Sequence, residues 1–402
     1  MHSRYPAFST ARFFNKERNF TSTTFDSTMR VVINSGFFSA ICSGEYLNFI
    51  QRSFEYIVRE QPDHEFIFLC ERKNSRLFDY GTNARVYIVN RPVRNLLFGR
   101  YWYDIRFPLL LKKLKADLYL AAGIDSSQTT KVPQCMIMPD MGYLQYPAFL
   151  TKMERLFYKR YTNKFLLKAR TVIVLSAYSK KNMIKSYKIA DSKIDIVFNA
   201  VDENFKPANE DIKNEIKSKY TGGRDYFLYS GAVHHSSNLI NLLKAFSVFK
   251  KRQQTGMKLF ICEKPGSSIR SIAQRLLTYK YRSDVVYLAG IDQNELARIS
   301  ASAYALVYPV YFDDFSSSVM EALHCNVPVL TSSDSAMAEV ANDAALYADP
   351  SDYNAIAAQL MRLYKDENLR YELIKKGAVF SEQYRWQHTA EQLWQSVHRT
   401  TL

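Results

Sequence analysis

Tyr308-Pro309-Val310-Tyr311-Phe312-Asp313-Asp314-Phe315-Ser316-Ser317-Ser318-Val319-Met320-Glu321-Ala322-Leu323-His324-Cys325-Asn326-Val327-Pro328-Val329-Leu330 is the stretch on which the reading turns. It reads as strand, loop, helix, strand. Ser316, Ser317 and Ser318 fall where the helix begins, so N–H groups without intrahelical partners and the positive end of the helix dipole are offered together. That arrangement suits a diphosphate. Glu321 lies about one turn further in, placed to accept hydrogen bonds from ribose hydroxyls. Asp313 lies eight residues before it on the loop, placed to face a sugar or its developing charge. Spacing alone leaves a second reading open: a capped surface helix with two ordinary acids.

Working outward, β-branched and aromatic runs alternate with helix-period stretches along most of the chain. Strands are expected at 30–34, 65–70, 85–89, 117–121, 134–138, 171–175 and 194–198, then at 226–230, 257–262, 285–289, 304–308 and 327–331. Among the helices, Ser43 is placed to cap one whose face is Leu47, Ile50, Phe54, Ile57 and Val58. Thr151 and Glu154 form a capping-box pattern before a helix at 152–168, and Ser176 caps the next. Leu239, Leu242, Leu243 and Phe246 mark a helix from 237. Further helices are expected at about 268–280, 292–302, 316–325 and 351–383, the last broken near Asp366. Gly222-Gly223 separates the two series. Such alternation implies two Rossmann-like α/β domains with mostly parallel sheets facing an inter-domain cleft. Ligands of open parallel sheets bind beyond the carboxyl ends of the strands, so site residues should follow strands directly. The expected domains are 29–206 and 207–384. A helix at about 386–400, within 385–402, is expected to pack back on the first. Residues 1–28 read as an extension or an over-extended start.

At 402 residues and 47% hydrophobic, the chain has enough apolar surface for two cores rather than one. The net charge of +15 resides entirely in residues 1–200, whereas residues 201–402 sum to zero. A solvated basic face, an anionic membrane surface and a phosphate-bearing acceptor all fit that asymmetry. Nucleic acid fits less well, because no binding motif accompanies the charge. The helix at 152–168 mixes Lys152, Arg155, Lys159, Arg160, Lys164 and Lys168 with Phe157, Tyr158, Tyr161 and Phe165, which leaves either peripheral lipid attachment or an ordinary solvated helix. No apolar run is long enough to span a membrane. Cys42, Cys70, Cys135, Cys262 and Cys325 lack metal or redox spacing and read as reduced, mostly buried thiols. The chain reads as cytoplasmic, with the inner face of a membrane as an option.

The opening stretch, with Pro328-Val329-Leu330-Thr331-Ser332 and Ala338-Glu339-Val340-Ala341-Asn342 after it, resembles the retaining glycosyltransferases of family four. Their signature holds two glutamates eight positions apart around a Gly-Phe-Gly loop; here those positions are Asp313, Asp314-Phe315-Ser316 and Glu321. The resemblance runs from about Met29 to Val397. It implies the two-domain GT-B fold, a nucleotide-sugar donor that is a substrate rather than a cofactor, no metal, and a saccharide or lipid-linked acceptor in surface polysaccharide or glycolipid synthesis. Gly231-Ala232-Val233-His234-His235-Ser236-Ser237-Asn238 matches a loop where the family often carries two cations for the donor phosphates. His234 and Asn238 remain, but Ser236 and Ser237 replace the cations. Lys264 matches a position often basic and is placed to supply the missing charge. Asp140 matches the aspartate of a His-Asp strand end whose histidine is Pro139 here. Gly44 matches a glycine-containing loop that approaches the donor. The resemblance thus implies catalytic roles for Asp313, Asp140 and His234. Donor contacts fall to Glu321, Ser316, Ser317, Ser318, Lys264, Ser236, Ser237, Gly231 and Gly44. The replaced cations and the missing histidine keep a second reading open, a GT-B protein of impaired catalysis acting as a binding or scaffolding partner.

Overall fold

A computed structural model describes residues 28–35, 44–89, 96–138, 141–264 and 271–401. Thirteen strands form two sheets among the described residues. The first sheet holds β1 (Arg30–Asn34), β2 (Glu65–Cys70), β3 (Ala84–Ile88), β4 (Leu118–Ala122), β5 (Gln134–Ile137), β6 (Thr171–Val174) and β7 (Ile194–Ile196) in the order β3-β2-β1-β4-β5-β6-β7. The second holds β8 (Tyr226–Gly231), β9 (Lys258–Glu263), β10 (Val285–Ala289), β11 (Ala305–Tyr308), β12 (Val329–Ser332) and β13 (Ala345–Ala348) in the order β10-β9-β8-β11-β12-β13. Every pairing is parallel. Parallel strands need crossovers, and the helices that supply them cover both faces. In β1, Val31 and Ile33 join one core layer while Val32, between them, joins the other.

The helices that bear on the site are α1 (Gly44–Glu60), α2 (Lys152–Lys168), α3 (Ala177–Tyr187), α4 (Leu239–Gln253), α5 (Ser317–His324), α6 (Ala336–Ala341) and α7 (Trp386–Arg399). The face of α1 is buried through Tyr46, Phe49, Ile50, Phe54, Ile57 and Val58. Its expected cap, Ser43, lies outside the described residues. Helix α2 carries the full capping box, with the Glu154 N–H donating to Thr151 Oγ1 at 3.2 Å and the Thr151 N–H donating to Glu154 Oε2 at 2.8 Å. Gly222 ends the first helix of the second domain at φ +61, the left-handed conformation that glycine adopts without steric cost. Helix α7 crosses to the first domain. There Trp386, Ala390, Leu393 and Val397 join the core of α1, and the Trp394 ring meets that of Phe66 at 5.8 Å.

Three features differ from the sequence expectation. Strand β13 was not expected. It is only four residues long, two of them alanine, and it pairs with β12 alone at the sheet edge, so it carries little strand signature. Residues 235–237 form a separate tight turn, and α4 begins at Leu239 because Asn238 adopts φ +56. Its amide there donates to the carbonyls of Pro309 at 2.7 Å and Pro350 at 2.6 Å. Ser316 likewise sits at φ +51, so α5 begins one residue later than expected. Cys70, Cys135, Cys262 and Cys325 are free and buried, and burial pushes the Cys135 thiol up to about 12. Cys42 lies outside the described residues.

Candidate active site

Strands β8, β9 and β11 end together facing the start of α5. Just beyond β9, the Lys264 ammonium lies 2.8 Å from both oxygens of Glu321 and 3.1 Å from Ser318 Oγ. Its backbone N–H donates to the Gly231 carbonyl at the end of β8 at 3.0 Å. Ser318 Oγ in turn donates to the Ser230 carbonyl at 2.7 Å. Two strand ends and one helix start are thus tied at a single point. Gly231 is required by close approach, since a Cβ there would stand 2.9 Å from the Tyr308 ring.

Burial raises the Glu321 carboxyl against the pull of Lys264. Burial lowers Lys264, but Glu321 and then Glu45 outweigh it, and the ammonium ends above its ordinary value. Each charge is therefore held by the other. A carboxylate has about four acceptor positions. Lys264 uses one on each oxygen, which leaves room for a vicinal diol.

Asp313 is committed to its own loop. Its Oδ1 accepts the N–H groups of Phe315 and Ser316, both at 3.1 Å, and its Oδ2 accepts the Tyr308 hydroxyl at 3.1 Å. These bonds stabilise the left-handed Ser316 at a position where the family carries glycine. Such a conformation costs a non-glycine residue roughly 1–3 kcal/mol. Burial, and next Glu45, push the Asp313 carboxyl up to about 7. Its observed contacts are those of a loop former.

The neighbouring loop after β8 also satisfies itself. The His234 N–H donates to Ser237 Oγ at 2.8 Å, Ser236 Oγ lies 2.5 Å from His234 Nδ1, and Ser237 Oγ donates to the Ala232 carbonyl at 2.6 Å. The loop is tied to the opening stretch, because the Tyr311 N–H donates to the Ser236 carbonyl at 2.9 Å. Gly44 is the first residue of α1 and exposed; its neighbour Glu45 makes the contact instead, accepting Ser317 Oγ at 2.5 Å. Asp140 and Pro139 lie outside the described residues.

Sequence reasoning did not assign roles to the residues that join the two domains. Asp314 Oδ2 accepts the Met141 N–H at 2.8 Å, and burial pushes its carboxyl up to about 6. Glu339, in α6, accepts the N–H groups of Ala177 and Tyr178 at 2.8 and 2.7 Å, so a second-domain carboxylate caps α3 of the first. Phe315 sits in the first-domain core, 6.2 Å from the Phe49 ring. Tyr146 and Phe149 meet Tyr311 and Phe312 at ring separations of 5.2 to 6.5 Å. Only glycine fits at 142, where a Cβ would lie 2.2 Å from the Phe312 ring. The one signal for these contacts was an aromatic and acidic loop directly after a strand.

Comparison with known proteins bears on both halves. The family model for Glycosyltransferase Family 4 matches residues 51–205, and that for Glycosyl transferases group 1 matches residues 211–380. The chain is 23% identical over 277 residues to O-antigen chain mannosyltransferase B of Escherichia coli, covering 69% of this chain and 71% of that protein. Among solved structures, sucrose-phosphate synthase from Thermosynechococcus elongatus superposes with a TM-score of 0.73 at 15% identity, covering 92% of this chain and 98% of that one. Anabaena Alr3699/HepE in complex with UDP-glucose superposes with a TM-score of 0.70 at 12% identity, covering 92% and 100%. Identities this low speak for the shared fold alone.

Proposed function

From a chain that belongs to the group 1 and family 4 glycosyltransferases, and is a glycosyltransferase of GT-B architecture, we propose the following reaction. It moves a sugar from a nucleoside diphosphate sugar to an acceptor hydroxyl presented by the first domain. The observation that carries this reading is the meeting of Lys264, Ser318 and Glu321 where β8, β9 and α5 converge. Lys264 and the first-turn N–H groups of α5 would stabilise the leaving diphosphate as its charge develops, an effect that is commonly among the largest in catalysis. Glu321 would hold the ribose through its remaining acceptor positions. Retention of anomeric configuration is part of the proposal and rests on the family resemblance.

The name of the mannosyltransferase relative favours a hexose and a surface-polysaccharide or glycolipid acceptor. A membrane-bound acceptor also accounts for the character of the first domain. Along the helical run 96–113, Tyr101, Ile105 and Leu109 are exposed four residues apart; on the neighbouring α2, Met153, Leu156 and Leu167 are exposed too. Arg106, Lys112, Lys113, Lys152, Arg155, Lys159 and Arg160 are exposed among them. We place this side of the cytoplasmic protein against the anionic inner face of a membrane. Among the described residues no helix is long and apolar enough to cross one.

A thermal-shift screen of UDP, GDP, ADP and their sugars tests the donor assignment. A true donor at a hundred times its Kd adds about 2.7 kcal/mol to stability, and nucleoside diphosphate release on adding acceptor then reports transfer. Glu321→Ala should abolish the nucleotide-induced shift. An unchanged shift in that variant would remove Glu321 from the ribose.

A further inference from the structure

A carboxylate of the first domain stands inside the site of the second. Glu45 lies in the first turn of α1, and its Oε1 accepts the hydroxyl of Ser317, 272 residues away in sequence, at 2.5 Å. Ser317 is the first residue of α5. The N–H groups of a helix's first turn lack intrahelical partners, and the dipole there favours a negative group. Glu45 therefore supplies an anion at the helix start where the donor's diphosphate is placed above.

The surrounding charges make this a contest. Glu45, Asp313 and Glu321 gather three carboxylates around the single ammonium of Lys264, and Glu45 acts electrostatically on all three of the others. A diphosphate brings about two further negative charges within a few ångströms, where burial weakens screening. The Ser230 hydroxyl meanwhile is buried without a hydrogen-bond partner among the described residues, although the Ser230 carbonyl accepts Ser318 Oγ.

We propose that Glu45 is a built-in stand-in for the donor's diphosphate, holding the anion position at Ser317 in the ligand-free arrangement and withdrawing when the donor enters. The proposal rests on the donor-site reading above. Withdrawal of Glu45 breaks its hydrogen bond with Ser317, one of several contacts between the domains. Glu45 is accordingly a residue that sets donor affinity, and its removal strengthens binding.

Calorimetric titration of the full chain with UDP, with GDP and with inorganic pyrophosphate tests this in wild type, Glu45→Gln and Glu45→Ala. Glu55→Gln, which removes an exposed carboxylate from the same helix, serves as the charge control. Both Glu45 variants should bind at least ten-fold tighter than wild type to whichever probe binds, and the control within two-fold. A variant that merely damaged the fold would bind more weakly, so tightening is diagnostic. Hydrogen exchange of the ligand-free chain should be faster in Glu45→Gln at the amides opening α5. Unchanged or weaker binding in Glu45→Gln, with wild type binding normally, overturns the stand-in and leaves the donor site. Failure of wild type and both variants to bind any probe overturns the donor site and the stand-in together.

Discussion

The two domains are wound alike. Counting each from its own first strand, both run 3-2-1-4-5-6, with one further strand at the end of the first sheet. The crevice that this topology opens sits between β1 and β4 in one domain and between β8 and β11 in the other. In the first domain buried polar groups at this place satisfy one another. Asn34 Nδ2 donates to the Tyr119 hydroxyl and to Asp125 Oδ2, both at 3.3 Å. Tyr119 donates to the Asp125 carbonyl at 2.8 Å, and Tyr46 donates to the Asn34 carbonyl at 3.0 Å. In the second domain the same place holds an ion pair, a line of serines and a buried hydroxyl without a hydrogen-bond partner among the described residues. Winding fixes where a crevice opens; side chains decide whether it remains available to a ligand.

The largest effect should come from separating the charges in the second crevice. Lys264→Ala leaves Glu321 buried and unpaired, which should cost about 3–5 kcal/mol of stability. It should also lower transfer by about 10²–10³-fold through loss of charge stabilisation at the leaving group. The double variant Lys264→Met, Glu321→Leu should regain most of the stability and none of the transfer. Denaturant unfolding beside a turnover assay separates the two quantities. A double variant that transfers sugar would show the second crevice to be as structural as the first.

The converse experiment lies in the first domain. Asn34→Ala removes one buried hydrogen bond from the Tyr119 hydroxyl and one from the Asp125 carboxylate and should cost about 1–3 kcal/mol. The Kd for nucleotide should stay within two-fold. A shift above ten-fold would mean that both crevices serve the donor, and the contrast between the domains would fail.

A smaller, pH-dependent effect sharpens the contrast. Asp313 is raised from 3.8 to about 7 by burial, with Glu45 adding to the rise and Tyr308 and Lys264 opposing it. Between those two values the native state holds a proton that the unfolded chain releases. Its contribution to stability is therefore complete at low pH and disappears as pH climbs through 7. Asp314, at about 6, acts in the same direction. Wild type should lose stability relative to Asp313→Asn between pH 5 and pH 8, measured as denaturant midpoints. Parallel curves would show that Asp313 keeps its charge throughout.

How much of this was legible depended on distance along the chain. The capping box of α2 is complete within Thr151–Glu154, and the alternation of runs that sets the winding is equally local. The left-handed conformations of Asn238 and Ser316 carry no glycine to mark them: distant carbonyls of Pro309 and Pro350 hold Asn238, and the Asp313 carboxylate three residues back holds Ser316. Strand β13 lacked a signature because two of its four residues are alanine. Glu45 with Ser317, Asp314 with Met141 and Glu339 with Ala177 join the two domains and arise only once both have folded and met. No period or spacing announces them. Lys264 and Glu321 stood out as positions following a strand and within a helix, but that the two touch is a property of the packed sheet.

The mildest prediction concerns the outer surface, where the domains differ most visibly. Of the exposed large apolar residues, Ile88, Tyr101, Ile105, Leu109, Met153, Leu156 and Leu167 belong to the first domain, and six of these seven fall on the helical run 96–113 and on α2. These two elements are neighbours, since the Arg100 guanidinium lies 4.6 Å from the Phe165 ring. Leu109→Ser with Leu156→Ser removes apolar area that is already in water, so each should change stability by no more than about 0.5 kcal/mol. Nucleotide affinity should be untouched, because neither residue approaches α5. Flotation with vesicles of anionic phospholipid should nonetheless fall several-fold, and raising the salt should weaken what remains, because the cations around Leu109 and Leu156 supply the rest of the attraction. Equal flotation of wild type and double variant would assign these leucines to solvent and leave the basic charge of the first domain to the acceptor alone.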